Sequence, residues 1–426
     1  MPSSRKNSSG GGGWLYLITW LVFVCGWLSI MATKWSNAPE TSVADQWVLG
    51  ALTGACMLTF FVFRFSGYQG DRDLPLLILL LAGVGFIFQF RLGNLNLTDY
   101  ARVANFSYPL GWLAFFVSWM LFRGGRHNRL SSWALPALVA SVVILGFIVL
   151  TGQRFRGAVF VAGQVNPAEI VKLLLAIFMA GVITDFRKPL QQTVAGIPAP
   201  PVRSLMTIGA LWAIPMALLA VQRDLGMIML LNTVFLILVF MATGRWGYLI
   251  LGGGAATLVG YVGFHAFHHA RVRLLAWSDP FSDPTGKGWQ ILQSLSAMFS
   301  GGLDGSGLGA GSPTVVPIAE SDFIYAAMAE ELGFIGCVLL VMAYVLLFYR
   351  GYRVADQIRQ PFSQTLAAAL ITLIALQTLM NLGGVTKAIP LTGITLPLLS
   401  HGGSSLVTTL AMLGLLVAMS EPARKK

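Results

Sequence analysis

The run FIYAAMAEELGFIGCVLLVMAYVLLFY, residues 323–349, is apolar along its length except for one pair of adjacent glutamates. A helix needs about 20 apolar residues to cross a bilayer, so this run is long enough to span a membrane. Eleven further apolar segments, several of them shorter, are also candidates. Together they predict an all-α polytopic membrane protein with about twelve transmembrane helices. The predicted spans are 14–33, 47–65, 74–90, 108–123, 132–151, 168–185, 204–221, 225–243, 247–267, 323–349, 363–382 and 403–420.

The composition supports this class. Hydrophobic residues make up 56% of the 426 residues and charged residues only 11%, whereas a soluble domain carries about 25% charged residues. Cys25, Cys56 and Cys337 all lie inside apolar runs. This placement indicates small buried residues rather than a disulfide framework or a Cys-based metal site. The chain therefore leaves little room for separate soluble domains.

The charge distribution predicts the orientation in the membrane. The net charge is +11, but the sequence has no long basic run interleaved with aromatic residues, so nucleic-acid binding is not expected. Lys and Arg residues lie mostly in short loops between apolar segments. Assigning the richer set of loops to the cytoplasm places both termini inside. The N-terminal MPSSRKNSSGGGG, residues 1–13, is predicted to be a disordered cytoplasmic tail.

Some arginines lie at helix ends on the predicted outer side, where the charge rule predicts few. Any one of them is compatible with snorkelling toward lipid headgroups. Five arginines in three loops instead favour a shared anionic ligand such as a phosphate. The five are Arg154, Arg156, Arg223, Arg271 and Arg273.

The longest loop, residues 268–322, is predicted to lie on the outer side. Loops of this length are usually functional or disordered, and the aromatic and aliphatic residues in this one predict that it folds. WQILQSLSAMFS, residues 289–300, has helical spacing and predicts an amphipathic helix on the membrane face. The glycine-rich residues 300–313 lack the spacing and the strand–helix context of a nucleotide cradle. Their glycines indicate conformational freedom.

Two predicted helix starts carry polar residues with two open interpretations. Asn166 is a good helix cap, and Glu169 and Lys172 lie three residues apart, so they can pair on one face. Asp224 begins another helix, where it can interact favourably with the helix dipole. These residues are either capped, self-neutralised helix starts or parts of a functional polar site. The second interpretation follows because ionisable groups inside a membrane are usually functional.

Asp322 directly precedes the run quoted above. It is either the cap of that helix or a general base at the water–lipid boundary, where partial burial raises the pKa of a carboxyl group. Glu330 and Glu331 are expected about 12–14 Å deeper in the membrane, at about 1.5 Å per residue. Because a charge facing lipid is costly, both are expected to face the bundle and to find partners there.

Taken in order, several segments are similar to the motifs of the SEDS family (shape, elongation, division and sporulation), the RodA/FtsW-type peptidoglycan glycosyltransferases. The resemblance covers about residues 74–420, and the two further N-terminal spans resemble the longer, actinobacterial-type RodA-like members. The matching segments are QRF (153–155), NPAEIVK (166–172), QRDLG (222–226), RVRLLAWSDPFSDPTGKGWQILQSL (271–295), GGLDGSGLGAG (301–311), VPIAESDFIYAAMAEELGFIG (316–336) and NLGGVTKAIPLTGITLPLLSHGGSS (381–405).

The resemblance implies a location, an activity and a partner. The expected protein is a multi-pass enzyme of the bacterial cytoplasmic membrane that polymerises lipid II into β-1,4-linked glycan strands at the outer face, with inversion. Its expected partner is a class B penicillin-binding protein. The implied parts are a tail at 1–13, two additional helices at 14–73, a ten-helix core at 74–420 that includes the loop 268–322, and a cytoplasmic tail at 421–426.

The resemblance also assigns residues. Asp322 matches the family's catalytic aspartate and is the expected general base, while Glu169, Lys172 and Asp224 match polar positions of other family motifs. No metal ligands are predicted, and the sequence leaves any need for a divalent cation undetermined. The residues expected to bind substrate are Arg154, Arg156, Glu169, Lys172, Asp224, Arg271, Arg273, Gln293, Ser294 and Ser404.

The residues that differ from the family's usual pattern include Arg223, Ile318, Glu320 and His401. These departures leave open a weakly active scaffold for the penicillin-binding protein. A flippase or transporter of a lipid-linked precursor also stays open, because a polar interior and an outer arginine cluster suit it. Asp322 distinguishes an enzyme from a transporter, because a transporter has no need of a base at the outer boundary.

Overall fold

The computed structural model describes residues 13–37, 44–95, 103–155, 158–160, 166–194, 197–266 and 268–422. Within this part of the chain the architecture is helical, and a helix covers each of the twelve predicted spans. The predicted class, an all-α polytopic membrane protein, is confirmed. Residues 1–12 and 423–426 of the two predicted tails lie outside the described part.

The helices in chain order are α1 (Gly13–Asn37), α2 (Trp47–Phe65), α3 (Asp73–Arg91), α4 (Val103–Phe122), α5 (Ala134–Thr151), α6 (Ala168–Asp185), α7 (Arg187–Leu190), α8 (Val202–Gln222), α9 (Leu225–Thr243), α10 (Trp246–Ala266), α11 (His268–Ser278), α12 (Trp289–Gly301), α13 (Ile324–Gln357), α14 (Pro361–Val385) and α15 (Gly403–Met419). Two short antiparallel hairpins pair β1 (Gln153–Phe155) with β2 (Ala158–Phe160) and β3 (Thr193–Val194) with β4 (Ile197–Pro198). Among the described residues, eight helices are long and apolar enough to cross a membrane.

The centre of the bundle consists of α3, α6, α14 and α15, whose residues are mostly buried. Small residues let these helices approach their neighbours closely. Gly414 of α15 lies against the backbone of Phe115 in α4, and Gly85 of α3 lies against the backbone of Leu398. In contrast, α1, α2, α5 and α8 expose many large apolar side chains, as expected for helices that face lipid.

Ion pairs between loops agree with the predicted alternation of the spans. Arg350, near the end of α13, pairs with Asp71 before α3 at 3.3 Å. Arg123, after α4, pairs with Glu421 after α15 at 3.2 Å. All four residues belong to the side that the sequence predicts to be cytoplasmic. These two pairs therefore place the start of α3 and the ends of α4, α13 and α15 on one side of the bundle, as predicted.

Helix α13 is broken at Gly333, whose φ of 65° and ψ of −173° are not helical. A Cβ at this position would overlap the backbone nitrogen of Gly305, so the close approach requires glycine. Residues 334–357 alone form about 36 Å of helix at about 1.5 Å per residue, which is enough to cross a bilayer. The preceding residues 324–332 therefore form a separate outer segment.

The break corrects the expectation that Glu330 and Glu331 lie deep in the membrane. Arg91, at the outer end of α3, donates from Nε to Glu331 at 2.9 Å. Gln89, two residues earlier, donates to the carbonyl of Glu320 at 2.9 Å. Because Glu320 and Glu331 both contact the same end of α3, the segment between these two residues runs across that end. The expectation that Glu331 finds a partner is confirmed.

The long outer loop folds, as predicted. Helix α12 confirms the predicted amphipathic helix, and Ser294 on its buried face donates to the carbonyl of Val385 at 3.2 Å. Trp277 of α11 donates to the carbonyl of Lys387 at 2.9 Å. These two contacts anchor the loop over the outer end of α14.

Candidate active site

Asp322 lies in a turn that neighbouring segments hold through the backbone. Its carbonyl accepts a hydrogen bond from Asn381 Nδ2 of α14 at 2.9 Å. The carbonyl of Ser321 accepts from Ser400 Oγ at 2.6 Å, and the carbonyl before that is held by α3, as described above. Three successive carbonyls thus fix the turn and leave the carboxylate to other contacts.

The side chain of Asp322 does not cap helix α13. The helix begins at Ile324, and its cap residue, Phe323, makes no side-chain capping hydrogen bond. Asp322 Oδ1 instead accepts from the adjacent Ser321 Oγ at 3.0 Å. The interpretation of Asp322 as the helix cap is therefore wrong, and its role as a base stays a prediction.

Burial raises the pKa of the half-buried Asp322 above the usual range of an aspartate. The hydrogen bond from Ser321 and the positive charge of Arg273 lower this pKa, whereas the negative charge of Glu320 raises it. The removal of water is the largest of these effects, so the pKa stays raised. The carboxylate therefore accepts a proton more readily than an exposed aspartate does.

Arg273, from α11, faces the same space as Asp322. A Cβ at the exposed Gly393 would lie 3.4 Å from Arg273 Nη2 and 3.8 Å from Asp322 Oδ2. The guanidinium is fixed because its Nη1 donates to the carbonyl of Thr392 at 3.0 Å. A cation and a carboxylate thus meet beside one exposed glycine at the outer face.

Asp224 fills the first of the two roles considered for it, that of a helix cap. Its Oδ1 accepts from the backbone nitrogen of Met227 at 3.0 Å and so caps α9. Burial raises the pKa of Asp224, and the bond from Met227 lowers it. Glu169 raises this pKa further, while the positive charges of Lys172 and Arg273 lower it. Asp224 is therefore a helix cap that also belongs to the polar site.

Lys172 lies inside the bundle on α6, with only 1% of its surface exposed. Its Nζ pairs with Glu169 and donates to Gln377 Oε1 of α14 at 2.9 Å. Gln377 in turn donates to the carbonyl of Thr395 at 3.0 Å. The predicted pairing of Glu169 with Lys172 is confirmed, and the pair is tied to α14 and to the loop that follows it.

The cap residue of α6 is Pro167, one residue later than predicted, and Asn166 Oδ1 accepts from the backbone nitrogen of Ala168, the first residue of the helix, at 3.0 Å. The backbone nitrogen of Asn166 donates to Ser404 Oγ at 3.3 Å. Ser404, at the start of α15, therefore lies against Asn166, which precedes α6 and is three residues before Glu169.

Five charged residues form one polar site: Glu169, Lys172, Asp224, Arg273 and Asp322. Asp224 interacts electrostatically with Glu169, Lys172 and Arg273, and Arg273 interacts in the same way with Asp322. The site thus joins the starts of α6 and α9, helix α11 and the turn before α13. We call these five residues the outer polar site.

The other residues predicted to bind substrate belong to α11, α12, α15 and β1, or lie outside the described structure. Ser294 is buried against α14, and the adjacent Gln293 is half-buried. Arg271 is exposed on α11. Arg154 belongs to β1, but its side chain and the whole of Arg156 lie outside the described structure. In the described part of the chain, no three His, Cys, Asp or Glu side chains form a group that could hold a metal ion.

Uncharged polar residues inside apolar helices were missed by sequence reasoning. Gln89, Gln377 and Asn381 are each at most 2% exposed and hold the site from the inside. The sequence did carry a signal for these residues, because a polar side chain within an apolar span needs a hydrogen-bond partner. Asn381 Oδ1 and Thr392 Oγ1 are buried without a hydrogen-bond partner among the described residues.

The residues that depart from the family's usual pattern have backbone roles. Ile318 has a φ of 52°, which is rare for a β-branched residue, and its carbonyl accepts from the nitrogen of Ser321 at 3.0 Å. The nitrogen of His401 donates to the carbonyl of Glu320 at 2.6 Å. Burial lowers the pKa of the His401 side chain, and the charge of Glu320 opposes this. Arg223 has a φ of 63° at the end of α8.

The fold and the outer polar site define a multi-pass membrane protein with a candidate catalytic carboxylate at the end of the bundle that the sequence predicts to face outward. The family model of cell cycle proteins that covers FtsW, RodA and SpoVE matches residues 72–425. The chain belongs to this family, the SEDS family that its motifs resemble.

Three known proteins illustrate the similarity. The peptidoglycan glycosyltransferase RodA of Mycobacterium tuberculosis is 35% identical over 407 residues, which cover 89% of this chain and 86% of the relative. A solved structure of a peptidoglycan synthase complex that coordinates polymerization and crosslinking matches with a TM-score of 0.65 and 28% identity, over 83% of this chain and 98% of the matched chain. The rod shape determining protein RodA of Thermus thermophilus matches with a TM-score of 0.59 and 25% identity, over 83% and 97% of the two chains.

Proposed function

We propose that this protein is a peptidoglycan glycosyltransferase that polymerises lipid II at the outer face of the bacterial cytoplasmic membrane. The observation that carries the proposal is the position of Asp322 and Arg273, whose charged groups face one space beside the exposed Gly393. The name of the mycobacterial relative and the synthase complex among the similar structures support the same activity.

The proposed reaction is a single displacement. The 4-hydroxyl of an acceptor GlcNAc attacks the anomeric carbon of a glycan linked to polyprenyl diphosphate. A carbon–oxygen bond forms while the bond to the diphosphate oxygen breaks, and the hydroxyl proton passes to Asp322. Displacement of an α-linked diphosphate gives a β-1,4 link, so the reaction inverts the anomeric carbon and needs no covalent enzyme intermediate.

Asp322 suits the role of the base for two reasons. Its raised pKa gives the carboxylate a higher proton affinity than an exposed aspartate has. Its backbone is held by Asn381 and by the segments around Ser321 and Glu320, which keeps the carboxylate in a fixed place. A fixed base contributes through orientation as well as through proton transfer.

The departing diphosphate requires positive charge close by. Arg273 is suited to this contact because its guanidinium faces the same space as Asp322 and is oriented by Thr392. Lys172 is already paired with Glu169 inside the bundle. In the proposed mechanism Arg273 contacts the diphosphate, and the Glu169–Lys172 pair orders the inner part of the site.

A class B penicillin-binding protein is the proposed partner. The synthase complex among the similar structures coordinates polymerization with crosslinking, and a transpeptidase would crosslink the strands that this protein makes. The proposed orientation, with both termini in the cytoplasm, rests on the distribution of Lys and Arg among the loops.

Incubation of the purified protein with lipid II tests the activity. We expect the wild type to make glycan chains and Asp322→Ala to be about 10²- to 10⁴-fold slower, the usual contribution of a general base. Asp304→Ala removes an exposed acid from the same outer loop and should keep the wild-type rate. Equal rates for wild type and Asp322→Ala would contradict the assigned base. Absence of chains with every variant would favour a transporter or a scaffold.

A further inference from the structure

Helix α1 contacts the glycine-rich part of the outer loop, residues 301–312. Ser29 Oγ donates to the carbonyl of Leu308 at 2.9 Å. A Cβ at Gly309 would overlap Thr33 Oγ1 and lie 3.2 Å from Ile30 Cα, so the loop backbone lies directly on the helix. The outer half of α1 therefore packs along one side of this loop, and we call this surface the wall.

The contact joins an added element to the family core, because α1 lies before residues 72–425, the part that the family model matches. Helix α1 is itself fixed in the bundle. Phe23 has no exposed surface and packs at Gly83 of α3. The wall is thus attached to the helix whose outer end holds the Asp322 turn.

The opposite side of the loop is bound to the break in α13. Glu331 Oε2 accepts from the nitrogen of Gly309 at 3.1 Å, and Glu330 Oε1 accepts from the nitrogen of Ser312 at 2.7 Å. Arg91 donates to the carbonyl of Gly311 at 2.8 Å. The loop is therefore enclosed between α1 on one side and the segment that follows Asp322 on the other.

We propose that α1 is a positioning element for the catalytic turn. It packs against the glycine-rich loop, which binds Glu330 and Glu331 before the break in α13, and so holds the segment that follows Asp322 in its reactive place. This inference rests on the proposed function for the role of Asp322, but the contact itself does not depend on that role. Helix α1 acts through the loop and does not touch the reacting atoms.

Two glycines of the loop provide a matched test. Gly307 and Gly309 both have a φ of 95°, so alanine introduces the same backbone strain at each. At Gly307 the nearest atom to a Cβ would be Ala310 Cβ at 3.8 Å, whereas at Gly309 the Cβ meets α1. Any difference between Gly307→Ala and Gly309→Ala therefore reports the contact with the helix.

The first readout is hydrogen–deuterium exchange of the amides in residues 302–312, measured on the full-length protein without substrate. We expect these amides to exchange at least about tenfold faster in Gly309→Ala than in Gly307→Ala, as overpacking against α1 predicts. The double variant Thr33→Ala/Gly309→Ala should reverse part of this increase. Ser29→Ala, which removes one hydrogen bond, should raise exchange about 3- to 10-fold. Equal exchange in Gly307→Ala and Gly309→Ala, with no effect of Ser29→Ala, would overturn the proposal.

The second readout is lipid II polymerisation. We expect Gly309→Ala and Ser29→Ala to lower kcat with KM unchanged, since α1 does not contact the substrate. Faster loop exchange with an unchanged kcat would overturn the positioning role. If the wild type makes no glycan chains, the proposed function fails, and the exchange result still decides whether α1 holds the loop.

Discussion

Arg273 lowers the proton affinity of the candidate base. Burial raises the pKa of both Asp322 and Asp224, and the positive charge of Arg273 opposes this at both residues. Without that charge, burial acts with less opposition, so both pKa values rise further. A general base acts only in its deprotonated form. Enzyme activity must therefore be lost as the pH falls through the pKa of Asp322.

Arg273→Gln is expected to move the acidic limb of the pH–rate profile to higher pH and to lower the maximal rate. The shift follows from the higher pKa of Asp322, and the lower rate from the loss of charge near the departing diphosphate. The measurement is kcat/KM for lipid II across acidic and neutral pH. Lys287→Gln removes the same charge from an exposed position in the outer loop and should leave the limb in place. If Arg273→Gln leaves the acidic limb in place, Arg273 does not lower the pKa of the base, and the prediction is wrong.

The break in α13 is stabilised by the loop that meets it. A broken helix leaves backbone donors and acceptors that need partners in a membrane protein. The nitrogen of Phe334 donates to the carbonyl of Gly302 at 2.9 Å, and the carbonyl of Glu330 accepts from the nitrogen of Ser306 at 2.9 Å. The loop thus replaces the helical hydrogen bonds that are missing around Gly333.

Gly333→Ala is expected to lower the free energy of unfolding by about 1–3 kcal/mol, the cost of backbone strain at one residue. The overlap of the new Cβ with Gly305 adds to this cost. Gly146→Ala in α5 is the control, since a Cβ there meets no atom within 4 Å and alanine favours a helix by up to about 1 kcal/mol. Thermal unfolding in detergent compares the two. Equal midpoints would show that the break does not require glycine.

The ion pairs and hydrogen bonds between loops divide the molecule into two ends. The end with Arg350, Asp71 and Glu421 is predicted to be cytoplasmic, and the end with Asp322 and Glu331 is predicted to be outside. The proposed reaction requires the second end to face outward, because the glycan strands are made there.

Single-cysteine labelling tests this orientation. In a background of Cys25→Ala, Cys56→Ala and Cys337→Ala, a membrane-impermeant maleimide should label Ser306→Cys in intact spheroplasts. Ser132→Cys, exposed at the opposite end, should react only after the membrane is permeabilised, so it serves as the control. Labelling of Ser132→Cys alone in intact spheroplasts would reverse the orientation and contradict a site at the outer face.

Much of this protein was predictable because a bilayer sets a simple requirement. Each crossing needs a long apolar helix, so the spans, the class and the alternation follow from local composition. The pairing of Glu169 with Lys172 was also predictable, because three residues of helix separate them. The order of motifs around Asp322 predicts that it is the catalytic base, although spacing alone left capping as an open interpretation.

Contacts between distant parts of the chain were decided only by the tertiary structure. Lys172 meets Gln377, 205 residues away, and Arg91 meets Glu331 across 240 residues. The depth of Glu331 was wrongly expected because an apolar run does not reveal a break at Gly333. A local pattern specifies which residues form a helix. The partners of a buried polar group, however, depend on how helices pack, and that is fixed by the whole bundle at once.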